Sequence, residues 1–522
     1  MSHLRTSRRD FLKLLGTAGL FAPMSNLLRT VEAQSRTQTR TNPTRPNIII
    51  FIFDALSARH MSLYGYQRKT TPNIDRFART STIFHQHHAA SNYTKPSTAS
   101  LLTGVLPWSH RALGYYSALL EFYDHANIFS ETISSFYTLA YTHNNLALNV
   151  LEEFAAHINL LKPPQDLAAY DPDKLLGVFR NDYSMGSYAI EEWSGGGFLG
   201  PSTSIFMNPI VDIVQTLASS RVLEVNKKTY PLGLIVNGYQ DLLKLEDAIN
   251  WIAQCSTSTP QPYLGYFHLL PPHEPYHPRA DFVGAFSGDN LDLPEKPTSY
   301  FSEGHTQEQL KQFRDLYDDY VAYADSEFGR LYGILEKNGA LDNTYLILTS
   351  DHGQLFERGI HGHGVTLYEP VIHIPLIIHA PGQSQGKDIY SVTSNTDVLP
   401  TILQLANQSL PNWLEGKPLS IHAESGEAER FIFSMDGLRN SKFKPLTKAT
   451  LSAIQWPYKL NNYRGYPGYD NVDELFDLGN DPEELNNLAA SRPTIVAELK
   501  NELKKNQIIA EKKSIGSSIN QD

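Results

Sequence analysis

The chain has 522 residues, with 41% hydrophobic and 19% charged side chains, a balance that supports a large buried core and excludes a disordered or membrane-embedded protein. A formal net charge of −11 argues against a surface built for nucleic acid or another polyanion, while leaving room for a local cationic pocket. The lone cysteine, Cys255, excludes an intrachain disulfide and a cysteine-rich zinc site, and its Gln-Cys-Ser-Thr setting reads as structural.

Residues 1–33 read as a twin-arginine export signal. Ser7-Arg8-Arg9-Asp10-Phe11-Leu12-Lys13 precedes an apolar stretch at 14–24 and a small-residue cleavage site after Val31-Glu32-Ala33. That stretch is shorter than the roughly 20 residues a bilayer span needs, and no other apolar run is long enough. The expected partner is the twin-arginine export machinery and the expected location is periplasmic or extracellular. Since that route moves folded proteins, a metal could be loaded first. Residues 34–44 form a polar linker.

Residues 47–53, Asn-Ile-Ile-Ile-Phe-Ile-Phe, are a continuous apolar run of the kind found in a parallel strand buried on both faces, and the run ends at Asp54. Residues 137–141, 264–269, 344–348 and 374–379 read as further strands, and 315–338 as a helix. The expected fold class is therefore α/β, a mainly parallel sheet flanked by helices. Ligands of such sheets bind beyond the carboxyl ends of the strands, where Asp54 and Asp351 both fall. The expected catalytic domain is 45–405, with an insertion expected at 162–256 that contains Gly195-Gly196-Gly197. Short runs at 431–435 and 453–460 predict a small antiparallel α+β subdomain over 406–492. The tail, 493–522, reads as an exposed charged helix.

Thr94-Lys95-Pro96-Ser97-Thr98 opens what reads as a helix closed by Gly104. Free N–H groups at a helix start suit a tetrahedral anion, although Thr94 could equally be a plain N-cap. Asp351-His352-Gly353 follows a buried strand, so Asp351 and His352 could join Asp54 in a mononuclear metal site. The metal would lower the pKa of the Thr94 hydroxyl and polarise an ester oxygen. His273, in the Pro-framed segment Pro271-Pro272-His273-Glu274-Pro275, could bind an anion or protonate a leaving group. His361 and His363 lie close enough in sequence to return to the same pocket, and His143 and Asn144 are weaker candidates for substrate contact.

In order along the chain, Arg45-Pro46-Asn47, Tyr64-Gly65-Tyr66, Thr70-Thr71-Pro72-Asn73-Ile74-Asp75, the Thr94 segment, Pro272-His273-Glu274-Pro275-Tyr276, Ser350-Asp351-His352-Gly353 and Thr396-Asp397-Val398-Leu399-Pro400-Thr401 resemble the sulfatase family of the alkaline phosphatase superfamily. Glu474-Leu475-Phe476-Asp477-Leu478 is similar to the family's C-terminal subdomain. The resemblance implies a metal-dependent ester hydrolase. Sulfatases proper use a cysteine, modified to formylglycine, in Cys-x-Pro-x-Arg; here those end positions are Thr94 and Thr98, so no formylglycine is expected. Threonine there is similar to branches that cleave phosphate esters, phosphodiesters or phosphonates through a metal-bound Thr. The second aspartate often beside the first metal ligand is Ala55, and the family's Lys and His pair falls near His143 and Asn144. One divalent ion is expected, Mn²⁺, Zn²⁺ or Ca²⁺, with the histidine donor favouring the first two. The expected substrate is a small or polymeric anionic ester. The alternatives are a phosphoethanolamine- or phosphoglycerol-type transferase, which would share the Thr, and an inactive binding protein on the same fold.

Overall fold

Strand β1, Asn47–Phe53, is buried at every position because its Ile and Phe side chains leave no polar face to turn toward water. The other strands of its sheet are β2 (Thr82–His88), β3 (Tyr137–Thr142), β4 (Leu160–Lys162), β5 (Tyr263–Leu269), β6 (Thr344–Thr349), β7 (Leu376–His379) and β8 (Lys387–Ser394). The computed structural model describes residues 45–519 apart from 116, 171–207, 239, 290, 422–429, 439, 441 and 443. The expected export signal at 1–33, the linker at 34–44 and the Gly195-Gly196-Gly197 patch lie outside the described residues.

The sheet order is β8-β2-β7-β6-β1-β5-β3-β4. It is mainly parallel, as expected: β1 pairs in parallel with both β5 and β6, and only β7 runs against its neighbours. Side-chain alternation along β1 feeds two cores. Ile49, Phe51 and Phe53 pack with Ile249 and Ile252 of α3 (Leu245–Ser258) and with Phe328 and Leu331 of α4 (Gln307–Lys337). Ile48, Ile50 and Ile52 face Leu101 of α1 (Thr94–Thr103), Leu151 of α2 (Asn145–Glu153) and Ile402 of α5 (Val398–Leu405). Each such side chain contributes roughly 1.5–3 kcal/mol by leaving water. Helix α4 starts earlier than the apolar periodicity predicts, because Thr306 and Gln309 form a capping box. Cys255 sits buried in α3, and burial pushes its thiol up to about 11.

A second sheet is antiparallel throughout: β9 (Ile432–Asp436), β10 (Ala449–Gln455), β11 (Tyr458–Arg464) and β12 (Val472–Asp477). The predicted run 453–460 is in fact a hairpin, split between β10 and β11 by the Trp456-Pro457 turn. The helical tail is real, α6 (Pro493–Ile519), but it is not simply a solvated face. Leu499, Leu503 and Ala510 are buried in one cluster with Leu451, Ala453 and Leu460. Lys459 of β11 is buried between Glu369 and Glu484, 2.9 Å from a carboxylate oxygen of each. Among the described residues no helix is long and apolar enough to cross a membrane.

Candidate active site

With β1 between β5 and β6, the ends of three neighbouring strands meet at one point. Asp54 directly follows β1, and its N–H extends the ladder to Leu269 O at 2.9 Å. Ala55 then turns the chain with a φ of 58°, a left-handed conformation uncommon for a residue with a side chain. The turn aims the Ala55 N–H at Asp351 Oδ1 (3.1 Å), which also accepts from the His352 N–H (2.9 Å). One oxygen of Asp351 is thus tied to backbone. Ser350 Oγ accepts from the Leu56 N–H at 2.9 Å, tying the β1 and β6 ends together. Gly353 is required by contact, since a Cβ there would lie 2.2 Å from Pro370 O.

His268, the penultimate residue of β5, is the donor that the sequence reading missed. Its Nε2 lies 3.3 Å from Asp54 Oδ2 and 3.7 Å from Asp351 Oδ2. One donor atom each from Asp54, His268 and Asp351 falls within 4.8 Å of the others. Asp54 Oδ1, His268 Nε2 and Asp351 Oδ2 are buried without a hydrogen-bond partner. Such atoms are costly unless something binds them. Burial alone would push the Asp54 carboxyl up, but the facing imidazoles of His273, His268 and His352 hold it well below the usual range. Burial pulls His268 down, and the two carboxylates more than offset this and raise it. A convergent, orphaned, oppositely charged set of this kind fits a divalent cation. Tyr266 Oη, 3.1 Å from His268 Nδ1, orients the ring from behind.

Thr94 is the first residue of α1, and its side chain does not cap the helix; the N-cap position belongs to Tyr93. Its hydroxyl is instead 3.2 Å from His352 Nε2 and 3.5 Å from Asn144 Nδ2. His352 Nδ1 lies 3.0 Å from Gly353 O and can only donate there, which leaves Nε2 as the ring atom facing the Thr94 hydroxyl. The same Nε2 is 3.5 Å from Asp351 Oδ2 and 3.7 Å from Asp54 Oδ1. Asn144 serves two elements at once. Its Oδ1 caps α2 by accepting from Leu146 N and Ala147 N, and its Nδ2 donates to Asp54 Oδ2 at 2.5 Å.

A cleft of about 810 Å³ opens over Thr94, with Asn144, His273 and His363 in its wall. His273 gives its Nδ1–H to Glu274 O (2.7 Å), leaving Nε2 available. The His363 ring lies 5.1 Å from that of His273 and 4.3 Å from that of His352. Its Nδ1 is held by Gln354 Oε1 at 2.9 Å. Burial and the neighbouring His352 and His273 keep His363 well below its ordinary pKa, hence neutral. His361 does not reach the cleft. It stacks on Phe313 at 4.1 Å, with Nε2 3.0 Å from Tyr276 Oη. His143 also stays out, packing edge-on against Tyr141 while its Nδ1 accepts from Leu270 N.

The family model described as Sulfatase matches residues 46–146 and 182–408, and that described as N-sulphoglucosamine sulphohydrolase, C-terminal, matches 359–509. Arylsulfatase K of Bos taurus is 23% identical over 95% of this chain and 87% of its own length. Choline-sulfatase of Rhizobium meliloti is 24% identical over 85% and 82%, respectively. Phosphonate monoester hydrolase of Agrobacterium radiobacter shares the fold with a TM-score of 0.62 at 18% identity, covering 89% of this chain and 96% of that one.

Proposed function

The chain belongs to the sulfatase family of ester hydrolases, and from that premise we propose that it cleaves sulfate, phosphate or phosphonate esters with metal assistance, using Thr94 where the family's sulfatases proper use a modified cysteine. The observation that carries this reading is the Thr94 hydroxyl: uncommitted to helix capping, it lies 3.2 Å from His352 Nε2 and opens into the cleft beside the orphaned donors. Sequence relatives named arylsulfatase K and choline-sulfatase support ester hydrolysis.

Asp54, His268 and Asp351 would hold the cation, which when bound supplies positive charge that eases loss of the Thr94 proton and offsets charge on the ester. Thr94 Oγ1 gives its proton to His352 Nε2 and forms a bond to the sulfur or phosphorus as the bond from that atom to the alcohol oxygen breaks. The departing oxygen takes a proton from His273 Nε2. His363, held neutral with its Nδ1–H on Gln354 Oε1, presents an Nε2 lone pair that accepts from a hydroxyl of the organic part or from water. Water then gives a proton back to His273 Nε2 and attacks the same centre; the bond to Thr94 breaks, and Oγ1 recovers its proton from His352. The sum is ester plus water to alcohol plus acid.

The test compares Thr94→Ala with Thr94→Ser after checking that both retain metal. Thr94→Ala should lose at least about 1000-fold in kcat while Thr94→Ser keeps measurable turnover. Wild-type rates in Thr94→Ala would refute the assignment. We further place the protein outside the cytoplasm on the strength of Ser7-Arg8-Arg9 and the apolar stretch behind it. A Lys-Lys replacement of the arginine pair should trap it inside.

A further inference from the structure

His363 is delivered to the cleft by a short antiparallel ribbon, Leu355–Glu357 with Ile360–Gly362, in which Gly362 pairs with Leu355. That register sets the next residues out, Gln354 and His363, opposite each other, and their side chains meet at 2.9 Å. The backbone here is fixed separately: the His363 carbonyl accepts from Asn92 Nδ2 at 3.0 Å, and the Val365 carbonyl accepts from Thr450 Oγ1 at 2.7 Å. What this leaves open is the ring. In a neutral imidazole the partner of one nitrogen decides what the other offers.

Gln354 is fully buried, and its amide has two different ends. Nε2 donates to Tyr276 Oη at 2.8 Å, so Oε1 is the end that faces His363, and an oxygen there can only accept the Nδ1–H. With the amide reversed, its N–H would face Nδ1, and the His363 proton would have to sit on Nε2, toward the cleft. Burial, and then Glu274, push the Tyr276 hydroxyl well above its ordinary pKa, so it stays a phenol. Its lone pair takes the Gln354 N–H. Its own proton is left for the outer side, where His361 Nε2 lies at 3.0 Å and Glu274 Oε2 lies 3.4 Å from that nitrogen.

We propose that Tyr276 and Gln354 are positioning residues: through one directed chain of hydrogen bonds they keep the His363 proton on Nδ1 and its Nε2 lone pair in the cleft, where it orients the attacking water. This rests on the reading of Thr94 as the reaction centre. The His363 ring lies 5.1 Å from that of His273, the group to which the water gives up a proton. A lone pair on His363 takes the water's other hydrogen and leaves its oxygen free to attack, whereas an N–H would occupy the oxygen.

The experiment labels histidine with nitrogen-15 in the whole protein, loaded with a diamagnetic divalent cation, and reads by NMR which His363 nitrogen carries the proton. His363→Asn identifies the signals by their loss. Wild type should show Nδ1–H alone. Tyr276→Phe, two hydrogen bonds removed from His363, should bring in the Nε2–H form, and so should Gln354→Leu. Gln354→Glu, whose carboxylate can only accept, should hold the proton on Nδ1. Tyr276→Phe and Gln354→Leu should each also lower kcat about tenfold with KM little changed, the size of one hydrogen bond. Nε2–H in wild type, an unchanged Nδ1–H form in either Tyr276→Phe or Gln354→Leu, or its loss in Gln354→Glu would overturn the proposal. A shifted proton with unchanged kcat would do so too. The spectra are taken without substrate, so they stand apart from turnover. The expected spectra from a protein that hydrolyses no ester would sink the Thr94 reading and leave the chain of hydrogen bonds; an active enzyme with unshifted spectra would do the reverse.

Discussion

Replacing His268 with alanine removes the imidazole that completes the buried donor group. The ring is fully buried, with Nε2 3.3 Å from one carboxylate and 3.7 Å from the other. Loss of a partner merely adjacent to a metal ligand costs about 10- to 100-fold in affinity. His268 stands among the donors themselves, so the loss should reach at least about 100-fold, or about 2.7 kcal/mol. In the metal-free protein the same change strips the partner from two buried carboxylates, a loss of about 3–5 kcal/mol when one side of a buried pair is removed. Calorimetric melting across a metal titration separates the two effects. Stabilisation by a ligand follows RT ln(1 + [L]/Kd), so the variant should melt lower without metal and need about 100-fold more of it for the same upward shift. A metal dependence identical to wild type would refute the donor assignment.

Three further outcomes test other parts of the structure. His352→Gln should keep its metal while kcat falls at least about 100-fold, because the proton acceptor for Thr94 is gone; loss of the metal instead would make His352 a ligand. Lys459→Met should destabilise the fold by about 3–5 kcal/mol in urea, since it leaves Glu369 and Glu484 buried without their shared cation; a change under about 1 kcal/mol would contradict this. Burial pushes the Asp325 carboxyl up to about 6 despite its hydrogen bonds from Asn73 N and Ile74 N. A raised folded pKa gives stability that is full below the unfolded value and is lost as pH rises through about 6. Wild-type stability relative to Asp325→Asn should therefore decline by about 3 kcal/mol between about pH 3 and pH 8, and a flat difference would refute it.

The parallel sheet is legible in the sequence because β1 and β6 are unbroken apolar runs that stop just before an acidic residue, and strand ends are where such sheets gather ligands. His268 escaped for the same reason. In a strand buried on both faces, alternation does not separate inside from outside, so an imidazole near the end of Tyr-Leu-Gly-Tyr-Phe-His-Leu reads as part of the apolar run. The contrast between His143 and Asn144 is equally local. One residue of backbone past β3 turns the first toward Tyr141 and the second toward Asp54, a difference of orientation that spacing does not carry. The tail's charges outnumber the few leucines that dock it, so its solvated face is legible in the sequence and its docked face is not. His361 and His363 differ likewise: the short antiparallel ribbon that carries His361 faces Phe313, and the chain has turned back by His363.

Asp54, His268 and Asp351 come from the first, middle and last thirds of the chain. No local segment contains a usable pair of them, so the donors do not exist as a group until β5 and β6 have both closed onto β1. An ion of this kind cannot seed folding as it does in a zinc finger; it can only seal a sheet whose crossovers are already complete. Metal retention is then a report on topology, and a chain with any one of those strands misplaced would be an empty one.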